Sequence, residues 1–443
     1  MTFYQLTAPN GIALGVVLAH TSLSHSNKIY ISAPGELLMR LIESVTIPHI
    51  LSHVIVGLNG PSLGISKKVV VRAAVYFTST TVIAVSIGVM LVVCIKPGVS
   101  GEVEFDDDDE SFSSALALMD LIRNMVPHDL ILATFQQYKT RIMEFELDED
   151  ELNSTQIHTE VRLVGEYIEG VNILGLIIAA AVIGICLRRM GERSKPMVDV
   201  VIALNKLTNV LVQNIIGYFP VGLLFMTAMY VDEVGVNWKT LSQLGKFTAV
   251  AFSGLAIHGI IVLPLIYLLF VRRNPLSFIK GICPALLKAM HFSRSAATQL
   301  SILGCEEANH IDKRITRFIL PLGYNVNQDG TALYEVISVG FIAQICRIYL
   351  NWSQILTLAV TVAVSSLGEA GLPTTESVTT IFVLKVLGIP ANDACLLLII
   401  QWALDCLSSP VNVLSDCVGA ALVAHLSKKE LEEIDEREKE VSR

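Results

Sequence analysis

The composition of this 443-residue chain excludes an ordinary soluble protein, because hydrophobic residues make up 52% of it and charged residues only 16%. A typical soluble domain carries about 25% charged residues. The net charge of −9 gives no sign of a nucleic-acid-binding surface, since much of the acid lies in two short runs, 101–110 and 144–151. Uncharged runs such as Ala249–Val271 can cross the roughly 30 Å of hydrocarbon in a bilayer. The sequence therefore indicates a multi-pass membrane protein.

The first part of the chain predicts regular membrane helices. The apolar segments lie at 10–24, 36–60, 73–95, 166–188, 199–230 and 244–271. Basic residues follow the second, fourth and sixth segments, at Lys67, Lys68, Arg72, Arg188, Arg189, Arg193, Lys195, Arg272 and Arg273. Because basic loops stay on the cytoplasmic side, we expect these loops and both termini to lie in the cytoplasm.

The loop at about 97–165 is then extracellular. It is acidic, and it contains the glycosylation sequon Asn153-Ser154-Thr155, which requires an extracellular position. A charge run of this kind is typical of a solvated loop. We expect a solvated segment with a glycosylation site at Asn153.

From 276 to 426 the apolar segments are repeatedly interrupted. Polar residues, glycine or proline break them at 293–298, 325–331, 365–377 and 405–416. Backbone that leaves the helix at membrane depth must be buried in protein or line a watery cavity. Paired interrupted segments point to the binding site of a transporter, so we expect the functional site here.

Five acidic residues lie within these segments. They are Asp329, Glu335, Glu369, Asp405 and Asp416, and each costs about 2.5–3.5 kcal/mol at the centre of a membrane helix. They are either packed carboxylates satisfied by hydrogen bonds or a site for cations and a substrate amine. The surrounding amides and hydroxyls favour the second interpretation, because sodium prefers oxygen ligands. Asp405, Asn412 and Asp416 also share one helix face.

No catalytic arrangement accompanies these acids. The sequence contains no His/Cys metal cluster, Ser–His–Asp arrangement or phosphate-binding glycine loop. We therefore expect a protein that is not an enzyme.

The segment "DKRITRFILPLGYNVNQDGTALYE" resembles the "DKR…LP.GATINMDGTALYE" block of the sodium-coupled glutamate and neutral amino acid transporters, the excitatory amino acid transporter family. "SLGEAGLP" and "NVLSDCVGAALVAHLSKKEL" match further blocks in order. The resemblance implies an all-α membrane fold with inverted repeats, built from eight transmembrane helices and two re-entrant hairpins. It also implies a plasma-membrane homotrimer that moves its substrate by an elevator mechanism.

The same resemblance divides the chain into scaffold and transport domains. The implied parts are scaffold helices one and two at 1–72, transport helix three at 73–96, the acidic loop at 97–165, scaffold helices four and five at 166–232, the remaining transport domain at 233–427 and a charged cytoplasmic tail at 428–443. The last transport segment would contain helix six, the first hairpin, helix seven, the second hairpin and helix eight.

The resemblance also assigns site residues. Substrate positions are Ser295, Thr331, Asp405, Ser408, Ser409 and Asn412, with Asp405 holding the α-ammonium and Ser295 near the α-carboxylate. One sodium site combines Asp416 with backbone oxygens of Gly323, Asn327 and Asn412. A second combines Asn327, Asp329, Thr80 and Thr81, and a third uses carbonyls of Asn325, Ser366, Leu367 and Glu369. Glu335 matches an acid linked to coupled proton and potassium movement.

Three departures bear on the substrate. Ser408 stands where acidic amino acid carriers have an arginine that binds the substrate side-chain carboxylate, which favours a small neutral amino acid. Glu335 argues for the acidic branch, because neutral exchangers carry glutamine there. Arg294 interrupts the hairpin serines, and it either supplies the missing positive charge or faces solvent.

A different functional class stays open beside transport. Gln328 replaces the methionine of the motif, and the second hairpin tip reads "GLPTTES" where the family is richer in glycine. These changes are compatible with a weakly transporting or non-transporting anion channel or ligand sensor of the same fold.

Overall fold

A computed structural model describes residues 2–21, 24–59, 67–99, 114–146, 159–234, 238–291, 294–348, 350, 352–365, 380, 383–384 and 395–432. The sequon at Asn153 and the predicted sodium ligands Ser366, Leu367 and Glu369 lie outside these residues, as does most of the predicted second hairpin. Helices predominate in the described part of the chain, in agreement with the helical fold expected from the sequence.

The described residues of the first half of the chain form six α-helices. They are α1 (Thr2–His20), α2 (His25–Leu58), α3 (Lys67–Ile95), α4 (Ser114–Met125), α5 (Ile173–Met190) and α6 (Lys195–Val234). Helix α6 packs against α1 and α2, and α2 also packs against α5. Small apolar clusters hold these contacts, one around Leu38 and Phe219 and one around Ile55 and Ala180. Helix α3 contacts the second half of the chain instead.

The acidic loop that is predicted to be extracellular requires a correction to the all-α prediction. Strands β1 (Gln136–Glu146) and β2 (Thr159–Glu169) form an antiparallel ribbon. Helix α4 covers the free edge of β1: Asp120 accepts hydrogen bonds from the backbone nitrogen and the hydroxyl of Thr140 at 2.7 and 2.6 Å. Asn124 exchanges two further bonds with the backbone of Tyr138. The loop is therefore partly folded, because side chains of α4 occupy backbone groups that an edge strand leaves unpaired.

The second half of the chain forms the main hydrophobic core together with α3. Its helices are α7 (Trp238–Ala256), α8 (Leu263–Val271), α9 (Pro275–His291), α10 (Arg294–Leu303), α11 (Lys313–Val326), α12 (Asp329–Ile345), α13 (Trp352–Ser365) and α14 (Cys395–Leu426). A π-helical turn, Ile257–Val262, joins α7 to α8. Helix α12 lies at the centre, since every residue from Asp329 to Ala343 is buried.

Several helices are long and apolar enough to cross a bilayer. Five such stretches lie within the described residues, at Ser26–Leu58, Lys68–Ile95, Leu174–Ile215, Lys239–Val271 and Ala403–Leu426. These lengths and compositions fit a protein that crosses the membrane several times.

The contact between α4 and the ribbon gives a first prediction. Replacing Asp120 by alanine leaves two donors of Thr140 without their acceptor, at a cost of about 1–3 kcal/mol for a buried group. We expect faster tryptic cleavage after Lys139 and Arg141, a smaller effect for Asp120→Asn, and none for Glu307→Ala at an exposed position elsewhere. An unchanged cleavage rate in Asp120→Ala would show that α4 does not hold the ribbon.

Candidate functional site

The centre of the site is a break between two consecutive helices. Helix α11 ends at Val326, α12 begins at Asp329, and only Asn327 and Gln328 separate them. The end of α11 presents carbonyl oxygens with partial negative charge, and the start of α12 presents N–H groups with partial positive charge. Asn327 and Asp329 are fully buried, so these groups need partners from the protein or from bound solutes.

Helix α14 supplies several of these partners from one face. Asn412 accepts a hydrogen bond from the Gly330 nitrogen at 2.7 Å, and its Nδ2 donates to Thr331 Oγ1 at 3.1 Å. The Asn412 amide therefore fixes the first turn of α12. Ser408 and Asp416 lie on either side of Asn412 along α14 and are also buried.

Two glycines allow the helices to approach this closely. A Cβ atom at Gly323 would lie 2.5 Å from Asp416 Oδ1, and one at Gly330 would lie 2.9 Å from the carbonyl oxygen of Ser408. Both distances are far below van der Waals contact. Glycine is therefore required at these positions for the contact itself, independently of backbone conformation.

Asp329 lies in a pocket of hydroxyl groups. Thr81 Oγ1 donates to Asp329 Oδ1 at 2.9 Å, and Ser415 Oγ donates to Asp329 Oδ2 at 2.5 Å. His258, on the π-helical turn, brings its Nε2 to 3.5 Å from the same Oδ2. Charge-assisted hydrogen bonds of this kind stabilise a buried carboxylate.

The same pocket holds further oxygen atoms. Asn327 Nδ2 donates to Ser415 Oγ at 2.9 Å, while Asn327 Oδ1 has no hydrogen-bond partner among the described residues. Thr80 is buried one residue before Thr81, although its hydroxyl donates to carbonyl oxygens of its own helix. Carboxylate, amide and hydroxyl oxygens form a donor set that suits a hard cation such as sodium.

Asp416 lies beside the end of α11, where Asn327 Nδ2 donates to its Oδ1 at 3.1 Å and an arginine approaches its Oδ2. Arg294, the first residue of α10, places its Nη2 atom 3.1 Å from Asp416 Oδ2, 2.9 Å from the Asn327 carbonyl oxygen and 3.4 Å from that of Gly323. The Arg294 side chain is only 11% exposed. The expectation of a solvent-facing arginine is therefore wrong, because the carboxylate and the carbonyl end of α11 hold the guanidinium inside the protein.

The remaining predicted residues lie around this centre. Asp405 is partly buried on α14, and its carbonyl oxygen accepts from Ser408 Oγ at 3.3 Å. Ser409 is also partly buried, and Glu335 is fully buried in α12. Ser295 belongs to α10 and Asn325 to α11. The third predicted sodium site lies outside the described residues except for Asn325.

Three contacting residues were not among the predicted site residues. Ser415 bridges Asn327 and Asp329, His258 contacts Asp329, and Arg294 contacts Asp416. An ionisable residue within a membrane segment is by itself a sign of function, and this signal marks His258 in the run Ala249–Val271. Ser415 has no such signal, because serine is common in membrane helices.

The broken helix and its buried polar lining define the class of protein. A multi-pass membrane protein with a discontinuous helix, whose two ends face carboxylates, amides and hydroxyls, has the organisation of a secondary transporter. Comparison with known proteins gives the family. A sequence model of the sodium:dicarboxylate symporter family matches residues 6–426.

Individual relatives agree with this match. Excitatory amino acid transporter 3 of Mus musculus is 43% identical over 444 residues, which cover 96% of this chain and 85% of that protein. Excitatory amino acid transporter 1 of Ambystoma tigrinum is 38% identical, with coverages of 96% and 82%. Excitatory amino acid transporter 2 of Homo sapiens is 36% identical, with coverages of 96% and 78%. The chain belongs to the sodium:dicarboxylate symporter family, and the resemblance seen in the sequence is confirmed.

The close approach at Gly323 gives a second prediction. Gly323→Ala would force the methyl group against the Asp416 carboxylate, and overpacking of this kind costs about 1–3 kcal/mol. Gly217→Ala is the matched control, because that helical glycine has no atom within 4 Å of the added Cβ and alanine favours a helix by about 1 kcal/mol. We expect a lower thermal unfolding temperature in detergent for Gly323→Ala and an equal or higher one for Gly217→Ala. Equal values for both variants would contradict the packing at this site.

Proposed function

We propose that this protein is a sodium-coupled symporter that imports a small neutral amino acid across the plasma membrane. The observation that carries the proposal is the break between α11 and α12. It brings the hydroxyl-lined carboxylate of Asp329 next to the buried face of α14 that contains Asn412 and Ser408. The family match and the names of the relatives support the amino acid as cargo.

The proposed substrate site follows the polar face of α14. Asp405 binds the α-ammonium group, since a carboxylate in a partly buried position forms strong charge-assisted hydrogen bonds. Asn412 and Thr331, which are already linked by a hydrogen bond, contact the substrate from the start of α12. Ser295 at the start of α10 binds the α-carboxylate, and Ser409 completes the lining.

Two observations support a neutral side chain on the substrate. Ser408 replaces the arginine expected in an acidic carrier, and a buried substrate carboxylate without a cationic partner is costly. Arg294 is the candidate replacement, but its guanidinium contacts Asp416 and the end of α11. It is therefore engaged on the other side of the break.

The proposed sodium position is the Asp329 pocket. Sodium there would draw on oxygen atoms of Asp329, Asn327, Thr80 and Thr81, with Ser415 as an additional neighbour. Its positive charge would stabilise the buried carboxylate. Sodium in this pocket would therefore stabilise the packing of α12 against α14, where Asn412 and Thr331 contact the substrate. Sodium binding would in this way favour substrate binding.

The packing of the helices supports an elevator mechanism. Helices α1, α2, α5 and α6 pack mainly with one another, whereas α3 shares a core with the helices after α6. We propose that the first group is the scaffold of a homotrimer and that the second group moves. We also propose that both termini lie in the cytoplasm and a glycosylated Asn153 lies outside, in keeping with the distribution of basic residues between the loops.

Two further coupling positions belong to the proposal. Glu335, fully buried in α12, serves as the acid linked to proton and potassium movement, since burial makes its charge state sensitive to nearby ions. A further sodium position uses carbonyls of Asn325, Ser366, Leu367 and Glu369.

Uptake by purified protein in liposomes tests the substrate assignment. We expect sodium-dependent uptake of serine or alanine that is greater than that of aspartate. Asp405→Asn should abolish this uptake, and Ser408→Arg should lower serine uptake at least tenfold while raising that of aspartate, because the introduced guanidinium binds a carboxylate bidentately. The absence of any sodium-dependent uptake, or an anion current gated by substrate without uptake, would contradict the proposal.

The sodium position has a separate test. Asp329→Asn retains the shape of the side chain but removes its charge, so we expect the sodium concentration for half-maximal uptake to rise at least tenfold, about 1.4 kcal/mol. Asp129→Asn in the acidic loop is the control, because that exposed carboxylate accepts hydrogen bonds from the backbone of Ile131 and Leu132. A normal sodium dependence in Asp329→Asn would exclude this pocket.

A further inference from the structure

Arg294 occupies the position where the family resemblance implies a sodium ion. The predicted ligands of that ion are the Asp416 carboxylate and the backbone oxygens of Gly323, Asn327 and Asn412. Three of these groups accept hydrogen bonds from Arg294 Nη2, at 3.1 Å for Asp416 Oδ2, 2.9 Å for the Asn327 carbonyl and 3.4 Å for the Gly323 carbonyl. One guanidinium nitrogen is thus placed among the oxygens that would coordinate the ion.

The electrostatics explain why a guanidinium is stable here. The carbonyl end of α11 carries partial negative charge. The Asp416 carboxylate, whose side chain is 7% exposed, adds a full negative charge. The site therefore requires a cation. A sodium ion and a guanidinium within a few ångströms of each other would repel strongly in this buried environment, so the two cations exclude each other.

A contact with an aromatic ring also holds Arg294 in place. The guanidinium carbon lies 5.5 Å from the ring centroid of Tyr324, within the range of a cation–π interaction. Tyr324 stands where the family motif quoted above has alanine. Tyr324 thus departs from that motif, Arg294 interrupts the hairpin serines, and the two residues are adjacent in space.

We propose that Arg294 is a tethered cation that replaces one coupled sodium ion. This inference rests on the proposed sodium-coupled transport, and it concerns the number of ions rather than the substrate. A tethered charge returns with the empty carrier, so it contributes nothing to the net charge moved per cycle. The carrier therefore transports one sodium ion fewer per amino acid than it would with an ion at Asp416.

Sodium binding to the purified full-length protein tests the proposal without requiring transport. Equilibrium binding of radioactive sodium is compared between the wild type and Arg294→Ser. The smaller variant should bind about one additional sodium ion per chain, because it exposes the oxygens of Asp416, Gly323 and Asn327. Arg294→Ser combined with Asp416→Asn should lose this additional ion. Arg294→Lys, which keeps a tethered cation, should bind as the wild type does.

Arg317→Ser is the matched control, because that arginine is 61% exposed and contacts Glu306 away from the break. It should leave sodium binding unchanged. Equal sodium binding by wild type and Arg294→Ser, or an additional ion that persists when Asp416 is replaced by asparagine, would overturn the proposal.

Thermal unfolding keeps the test decisive if Arg294→Ser is unstable. In that case sodium should restore its unfolding temperature more than choline does, since sodium then neutralises Asp416. Equal loss of stability in sodium and in choline would count against the proposal.

Failure of this inference differs from failure of the proposed function. If liposomes show sodium-dependent uptake but the ratio of sodium to amino acid is the same in wild type and Arg294→Ser, the tethered cation is wrong and the symporter stands. If no uptake occurs but Arg294→Ser gains an ion, the symporter is wrong, while Arg294 still occupies a site that binds sodium in its absence.

Discussion

The break between α11 and α12 is the constraint on which the rest of the site depends. A helix that stops inside the protein leaves carbonyl oxygens at one end and N–H groups at the other, and unsatisfied groups in a dry environment cost several kcal/mol each. In this protein each helix end has a partner whose charge is opposite to the partial charge of that end. Arg294 contacts the carbonyl end of α11, while Asn412 and the carboxylate of Asp329 lie at the start of α12. Helix α14 passes both ends and links them through Asn412, Ser415 and Asp416.

The two carboxylates of the break differ in their surroundings, and this difference shapes the proposed mechanism. Asp329 accepts hydrogen bonds from the hydroxyl groups of Thr81 and Ser415, which is an arrangement suited to an exchangeable cation. Asp416 has a cation from the chain itself. Arg294 therefore bears on both the substrate and the number of coupled sodium ions. It is engaged away from Ser408, which favours a neutral substrate, and it occupies a predicted ion position, which lowers the proposed ion count.

Much of this arrangement follows from local sequence features. The run from Asn325 to Thr331 is too polar for a membrane helix, and the cost of burying Asp329 and Asp416 predicts that both face the protein interior. The spacing of Asp405, Asn412 and Asp416 predicts a shared face of α14. These inferences need only helical geometry and the properties of the bilayer.

Other features depend on contacts that the local sequence does not contain. Arg294 and Asp416 are 122 residues apart, so the direction of the arginine is decided by how α10 packs against α11 and α14. The ribbon of β1 and β2 was missed for a different reason. Its strands lie in a loop dominated by acidic residues. The alternating apolar residues Val161, Leu163 and Tyr167 form too short a pattern to indicate a strand there. Its stability also requires Asp120 and Asn124 of α4, which precede it.

Hydrogen–deuterium exchange of the backbone amides around the break tests whether this part of the protein binds a cation. Exchange is measured on the purified protein in sodium chloride and in choline chloride. We expect slower exchange in sodium for amides between Gly323 and Glu335 and for the facing turns of α14, with no change in α6. An identical exchange pattern in the two salts, or a uniform change across all helices, would contradict it.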